Sequence, residues 1–137
     1  MREYLFRGKR IDNGEWVKGF FVNVGGYCYI LTGKLSIANG YIEFVKHEVI
    51  PETVGQYTGL TDKNGVKIFE GDIVRYYGTY ALEVFIENGH TKIRWFDTVT
   101  NRIETDLFFC YDAEVYGECE GIGNIHDNPE LLKEGAK

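Results

Sequence analysis

The clearest pattern of apolar and polar positions in the chain flanks Asn88-Gly89. The runs "LEVFIE" and "HTKIRWF" have strand composition, and an Asn-Gly step tolerates the positive φ angles of a type I′ turn. Residues 82–96 are therefore expected to pair as a hairpin. Val84 and Ile86 on one arm, with Ile93 and Trp95 on the other, supply one apolar face.

Similar reasoning runs along the rest of the chain. "EYLFR" is a short strand and "DNGE", residues 12–15, a turn. In "EWVKGFFV", Trp16, Phe20 and Val22 share one parity and Val17, Gly19 and Phe21 the other. Both faces are partly apolar, so this strand is expected to be covered on both sides or curled. "NVGG" turns the chain into "YCYIL", and residues 32–40 look like an irregular excursion ending in Asn39-Gly40. "YIEFVKHEVI" is a strand that Pro51 ends. "KIFEGDIVRYY" sets an apolar run on each side of Glu70-Gly71-Asp72, where the glycine frees a tight bend and the two acids are expected to stay wet. "DLFFCYDAEVYGE" does not alternate cleanly and suggests a bulge or bend. Only "NPELLKEG" looks helical, with Asn128 as cap, Pro129 in the first turn and Gly135 at the end. About nine short strands and one short C-terminal helix make a mainly β protein, and long helices alternating with strands are absent.

Composition sharpens this picture. At 137 residues the chain fits one domain or two small lobes sharing a core, and 44% hydrophobic residues with only two prolines do not read as disordered. Ten tyrosines and nine phenylalanines favour strands. The net charge of −6 argues against broad nucleic-acid affinity, but it is uneven. Arg2, Arg7, Lys9, Arg10 and Lys18 stand in the first twenty residues, whereas residues 104–137 carry nine acids against Lys133 and Lys137. A basic start and an acidic end are compatible with steered self-association. No apolar run is long enough to span a membrane and no signal peptide is visible, so the cytosol is the default location.

The candidate chemistry is thin. Residues 56–74, "QYTGLTDKNGVKIFEGDIV", raise the question of a metal loop. A calcium loop starting at Asp62 would have Asn64 at its third position, but Val66 stands at the fifth and Lys67 at the sixth, where an oxygen ligand and a glycine are needed. A turn explains the stretch better: Asp62 accepts backbone N–H bonds and Asn64-Gly65 takes the left-handed conformation. Cys28, Cys110 and Cys119 have no CxxC spacing and are expected to be buried thiols. His47, His90 and His126 are isolated, and His126 beside Asp127 lacks a third residue to orient it. Ser36 is the only serine and has no nucleophile-elbow context. No catalytic, cofactor-binding or metal-ligating residue is marked out. Tyr76, Tyr77, Tyr80, Arg94 and Trp95 could form an aromatic and basic platform for nucleic acid, or serve as core and interface residues.

Three segments in order, "FRGKRIDNGEWVKGFF", "VIPETVGQYTGLTDKNGVKIFEGDIV" and "GIGNIHDNPELL", resemble the YopX family of phage and prophage proteins. The resemblance runs from Tyr4 to Leu132. It implies several coiled antiparallel β-sheets including an SH3-like barrel, within a single domain spanning 1–137. The N-terminal β region would be 1–54 and the barrel about 59–125. It brings no established activity, catalytic residue or cofactor. What it implies is a phage or prophage accessory protein that acts by contact, forms homo-oligomers and has a host or phage protein partner. Nucleic-acid binding, or hydrolysis by carboxylates, are the alternatives.

Overall fold

Turns cut the chain into eleven strands among the described residues, which in this computed structural model are 3–36, 38–75, 81–107 and 119–133. The strands build antiparallel sheets, a single short α-helix closes the described chain, and the protein is mainly β as expected. The chain divides into two compact units, 1–57 and 58–137.

In the first unit β1 (Phe6–Lys9), β2 (Trp16–Val24), β3 (Tyr27–Ser36), β4 (Tyr41–Val49) and the first residues of β5 (Gly55–Thr61) lie in the order β4-β3-β2-β1-β5. The registers Cys28↔Val49 and Phe21↔Ile30 put Cys28, Ile30, Val49, Val17 and Phe21 on one side of the sheet. There Cys28, Ile30 and Val49 are buried, with Phe6, Val17, Phe21 and Val54 packed against them. Full burial of such side chains stabilises by about 1.5–3 kcal/mol each, so this side holds the unit together. Pro51 ends β4 as expected and opens a single 3-10 turn, Pro51–Thr53.

One expectation for this unit is corrected. Residues 32–40 are not an irregular excursion: β3 runs on to Ser36 and pairs with β4 as far as Ser36↔Tyr41. Its polar residues misled because backbone pairing with β4 continues through them. Of the two options for β2, covered on both sides or curled, cover on both sides does not hold, since Phe20 is exposed. Instead β2 changes partner, pairing with β1 up to Gly19 and with β3 from Phe20.

In the second unit the rest of β5 neighbours β6 (Lys67–Phe69), and β7 (Asp72–Arg75), β8 (Leu82–Glu87), β9 (His90–Asp97), β10 (Arg102–Leu107) and β11 (Glu120–Asn124) form a sheet. Its order is β10-β9-β8-β7-β11, open between β10 and β11 among the described residues. Ile68, Val74, Leu82, Val84, Ile93 and Cys119 form the buried cluster, with Leu60 and Trp95 against it. The hairpin forms as expected: Glu87 pairs with His90, and Asn88 and Gly89 take φ of 52° and 78°. The opposite side is apolar too, because Phe85 is buried under the Arg94 guanidinium 3.8 Å from its ring centre. Asn88→Pro is expected to cost about 2 kcal/mol, because proline cannot take a positive φ. Urea unfolding checks this, and a midpoint equal to that of the parent chain contradicts it.

The C-terminal helix α1 (Glu130–Lys133) is one turn, and among the described residues the Asn128 side chain bonds elsewhere than to it. The Asn128 Oδ1 accepts instead from the Asn124 N–H at 3.3 Å, while its backbone carbonyl accepts from Leu131 N–H at 3.1 Å. Gly135 and most of "DLFFCYDAEVYGE" lie outside the described residues.

Candidate functional site

Strand alternation leaves the other side of the first unit's sheet open. The registers Lys9↔Trp16, Phe20↔Leu31 and Gly33↔Phe44 place Trp16, Lys18, Phe20, Val22 and Val24 of β2 on the same side as Arg7 and Lys9 of β1. They share it with Tyr27, Tyr29 and Leu31 of β3 and with Ile42, Phe44 and Lys46 of β4. Phe20, Val24, Tyr27, Ile42 and Phe44 are each 54–61% exposed. Scattered exposed apolar residues are ordinary, but a contiguous set on one sheet face is the mark of a contact surface. Phe20 and Phe44 meet edge to face across β3, with ring centres 6.3 Å apart. At the far end of the β3–β4 hairpin Tyr41 and Val45, on the opposite parity, are exposed as well.

Cations interleave with these rings. The Arg7 guanidinium lies 4.8 Å from the Trp16 ring centre and the Lys9 ammonium 5.9 Å, while Lys46 sits 5.4 Å from Tyr29. The Lys9 and Lys46 pairs, which solvent reaches, are worth about 0.5–1 kcal/mol each, and the pair of the buried Arg7 about 2 kcal/mol. Of the basic residues singled out in the sequence, Arg7 and Lys9 therefore converge on Trp16. Arg10 turns away to a bidentate pair with Asp12, at 3.0 and 2.7 Å, which holds the Asp12 carboxyl below its ordinary range. Arg2 lies outside the described residues.

β4 is also the outer strand of its sheet. Among the described residues only its end is covered, by Arg10 bridging to Val49 and by Ile11 N–H donating to the Glu48 carbonyl at 3.1 Å. Along residues 41–46 the described pairing is on one side, so an apolar face and a free strand edge coincide. Sequence reasoning missed this surface. The available signal was the run Tyr41–Val45, which is apolar on both parities and so has more apolar residues than one buried face can absorb.

The other singled-out residues resolve as follows. Asp62 is buried and its carboxylate is filled by backbone donors. Asn64 N–H and Val66 N–H donate to Oδ1 at 2.8 and 3.0 Å, and Gly121 N–H donates to Oδ2 at 3.1 Å. Gly65 has φ of 79°, with open space where a Cβ would stand. Gly65→Val is accordingly expected to cost about 1–2 kcal/mol through backbone strain alone. Chemical denaturation tests it, and an unchanged midpoint is the contrary result. The Glu70-Gly71-Asp72 bend forms, but Asp72 is not simply wet: its Oδ2 accepts from Phe69 N–H at 2.8 Å and closes the turn.

His47 Nε2 lies 3.2 Å from the Thr32 hydroxyl, and His90 is exposed at the start of β9. His126 is half-buried and its N–H donates to Asn124 Oδ1 at 3.0 Å. Among the described residues no three His, Cys, Asp or Glu are grouped to hold a metal ion. Cys28 and Cys119 are buried free thiols, as expected, and Cys110 lies outside the described residues. Of the five residues considered for an aromatic platform in the second unit, Arg94 and Trp95 are described. Arg94 stacks on Phe85, whereas its neighbour Trp95 packs against the core cluster. Tyr76, Tyr77 and Tyr80 lie outside the described residues. No described helix is long and apolar enough to cross a membrane.

Comparison with known proteins adds to this geometry. The family model described as YopX protein matches residues 6–133. The crystal structure of protein EF1440 from Enterococcus faecalis is similar, with a TM-score of 0.65 and 26% identity over 96% of this chain and 99% of that one. No curated protein matches the chain.

Proposed function

The chain belongs to the YopX protein family, and from that premise we propose that it is a phage- or prophage-encoded accessory protein of the bacterial cytoplasm that works by contact rather than catalysis. Its partner is a second copy of itself, and the contact surface is the open face of β2, β3 and β4. The observation that carries this is the set of five large apolar side chains more than half exposed on one sheet face beside an uncovered strand edge. Charge supports the same occupant. Residues 1–57 carry seven Lys or Arg and six Asp or Glu, whereas residues 58–137 carry eight and fifteen. The cations Lys9, Lys18 and Lys46 on the face are complementary to the acidic residues of another copy.

Light scattering over a wide concentration range is the test. A specific interface removes at least about 1,000 Å² in total, so the mass should exceed 15.7 kDa at tens of micromolar. Phe44→Glu, on an already exposed side chain, should leave folding intact and weaken association about ten- to a hundredfold, the equivalent of one buried phenylalanine. A strictly monomeric parent protein would falsify the proposal.

The cation and aromatic row around Trp16 and Tyr29 favours a second reading, single-stranded nucleic acid stacked on the same face. Anisotropy with an oligonucleotide separates the two. Nucleic-acid binding should weaken with salt at a logarithmic slope of about −0.7 per neutralised phosphate and be lost in Trp16→Ala. Apolar self-association should survive the same salt.

A further inference from the structure

A cavity of about 240 Å³ in the second unit is lined by Glu83, Arg94, Trp95, Phe96, Ile103 and Leu132, of which Glu83, Arg94, Phe96 and Ile103 stand on the sheet face opposite the core cluster. The registers Glu83↔Arg94 and Ile103↔Phe96 explain how it is assembled: two charged residues pair across β8 and β9, and two apolar ones across β9 and β10. Leu132 of α1 supplies a further apolar wall.

The two charges are incompletely satisfied. Arg94 Nε is buried without a hydrogen-bond partner among the described residues, and the nearest carboxylate oxygen, Glu83 Oε2, stands 3.6 Å away. That is an ion pair but not a hydrogen bond. The Glu83 side chain is only 19% exposed. The Arg94 side chain is 40% exposed, so a ligand can reach the pair from solvent, and a carboxylate and a guanidinium that share no hydrogen bond both keep capacity for oppositely charged groups. The guanidinium is already oriented, because it stacks on Phe85 at 3.8 Å from the ring centre. Little ordering is then needed on binding.

We propose that this cavity binds a small zwitterion with an apolar body, of the class of α-amino acids with branched or aromatic side chains. A simple anion would face Glu83 and a simple cation would face Arg94. A ligand bearing both charges places its carboxylate on Arg94 and its ammonium on Glu83, and sets its side chain against Phe96, Ile103 and Leu132. This site is independent of the self-association surface, which lies in residues 1–57.

The test is titration of the full chain with L-leucine and L-phenylalanine, followed by backbone and indole amide NMR shifts. Binding with a Kd on the order of 1 mM is expected for a ligand of about ten non-hydrogen atoms. Shifts should concentrate at residues 83, 94–96 and 103. N-acetyl-L-phenylalanine lacks the ammonium and L-phenylalaninamide lacks the carboxylate, so each should bind at least about tenfold more weakly, as for the loss of one charged partner. Arg94→Gln and Glu83→Gln should each do the same to the parent ligand. Absence of saturable shifts with either amino acid overturns the proposal, as does equal binding of the N-acetyl or amide form. Because those arms use the unsubstituted protein, they decide the matter even where a variant fails to fold.

Discussion

Asp62→Ala should lower the unfolding free energy by about 2–4 kcal/mol, a large share of the 5–15 kcal/mol typical of a whole domain. The carboxylate joins segments far apart in sequence. Oδ1 receives the Asn64 and Val66 N–H groups of its own turn, while Oδ2 receives Gly121 N–H from β11, 59 residues away. Beside it the Lys63 N–H donates to the Cys119 carbonyl at 2.8 Å, so two bonds pin the turn to β11 and to the residue that precedes it. Alanine removes an ionised acceptor from three donors at once, and hydrogen bonds to charged groups are the stronger kind, about 1.5–3 kcal/mol each. The sum is reduced because Asn64, Val66 and Gly121 lie near the surface, where water replaces part of the loss. Asp62→Asn, which keeps one acceptor oxygen, should fall between the two. Urea unfolding measures the loss, and amide exchange at Gly121 should quicken in step with it. A change under about 0.5 kcal/mol, the range of an ordinary surface substitution, would show that the turn holds without its carboxylate.

What sequence could reveal here followed local chemistry. The Asn88-Gly89 turn was legible because a type I′ turn demands positive φ at two successive residues, and Asn-Gly is the pair that accepts it. The turn role of Asp62 was legible for the same reason, since an aspartate bonding two residues ahead is a local event. Its third bond, to Gly121, was not, because nothing in a linear pattern reports which distant strand lies alongside. Asn128 failed as a cap on similar grounds: Asn124 N–H, four residues back, competes for the same side chain. The candidate surface was the least legible part. Period-two alternation separates the faces of β2, β3 and β4, yet which face is covered depends on what packs there. Phe20 and Phe21 are the same residue type in adjacent positions, one exposed and one half-buried. Composition is silent on that difference, and only the burial of Ile30 and Val49 against one side settles it.

Gly19→Ala should destabilise the chain by roughly 3 kcal/mol or more, the upper end of what overpacking costs. Gly19 is the joint of the first unit, the residue at which β2 leaves β1 and takes up β3. A Cβ there would fall on the Leu31 carbonyl oxygen, and would stand 2.9 Å from the Leu31 carbonyl carbon and 3.2 Å from Ile30 Cγ2. The first two neighbours are backbone, which cannot rotate aside, and the third is a side chain with no exposure. The strands must therefore separate or the register must slip, and a slip of one residue sends every side chain to the opposite face. Phe20 would then turn inward and Phe21 outward, so the open face would be lost together with stability. Gly14→Ala is the control: its φ is 71° and nothing lies within 4 Å of the added carbon, so it should cost only backbone strain, about 1–2 kcal/mol. Denaturant melts of the two variants give the comparison, and light scattering of Gly19→Ala under folding conditions reads the surface. Equal costs for Gly14→Ala and Gly19→Ala would mean that β3 yields freely at Leu31 and that the close approach does not set the path of β2.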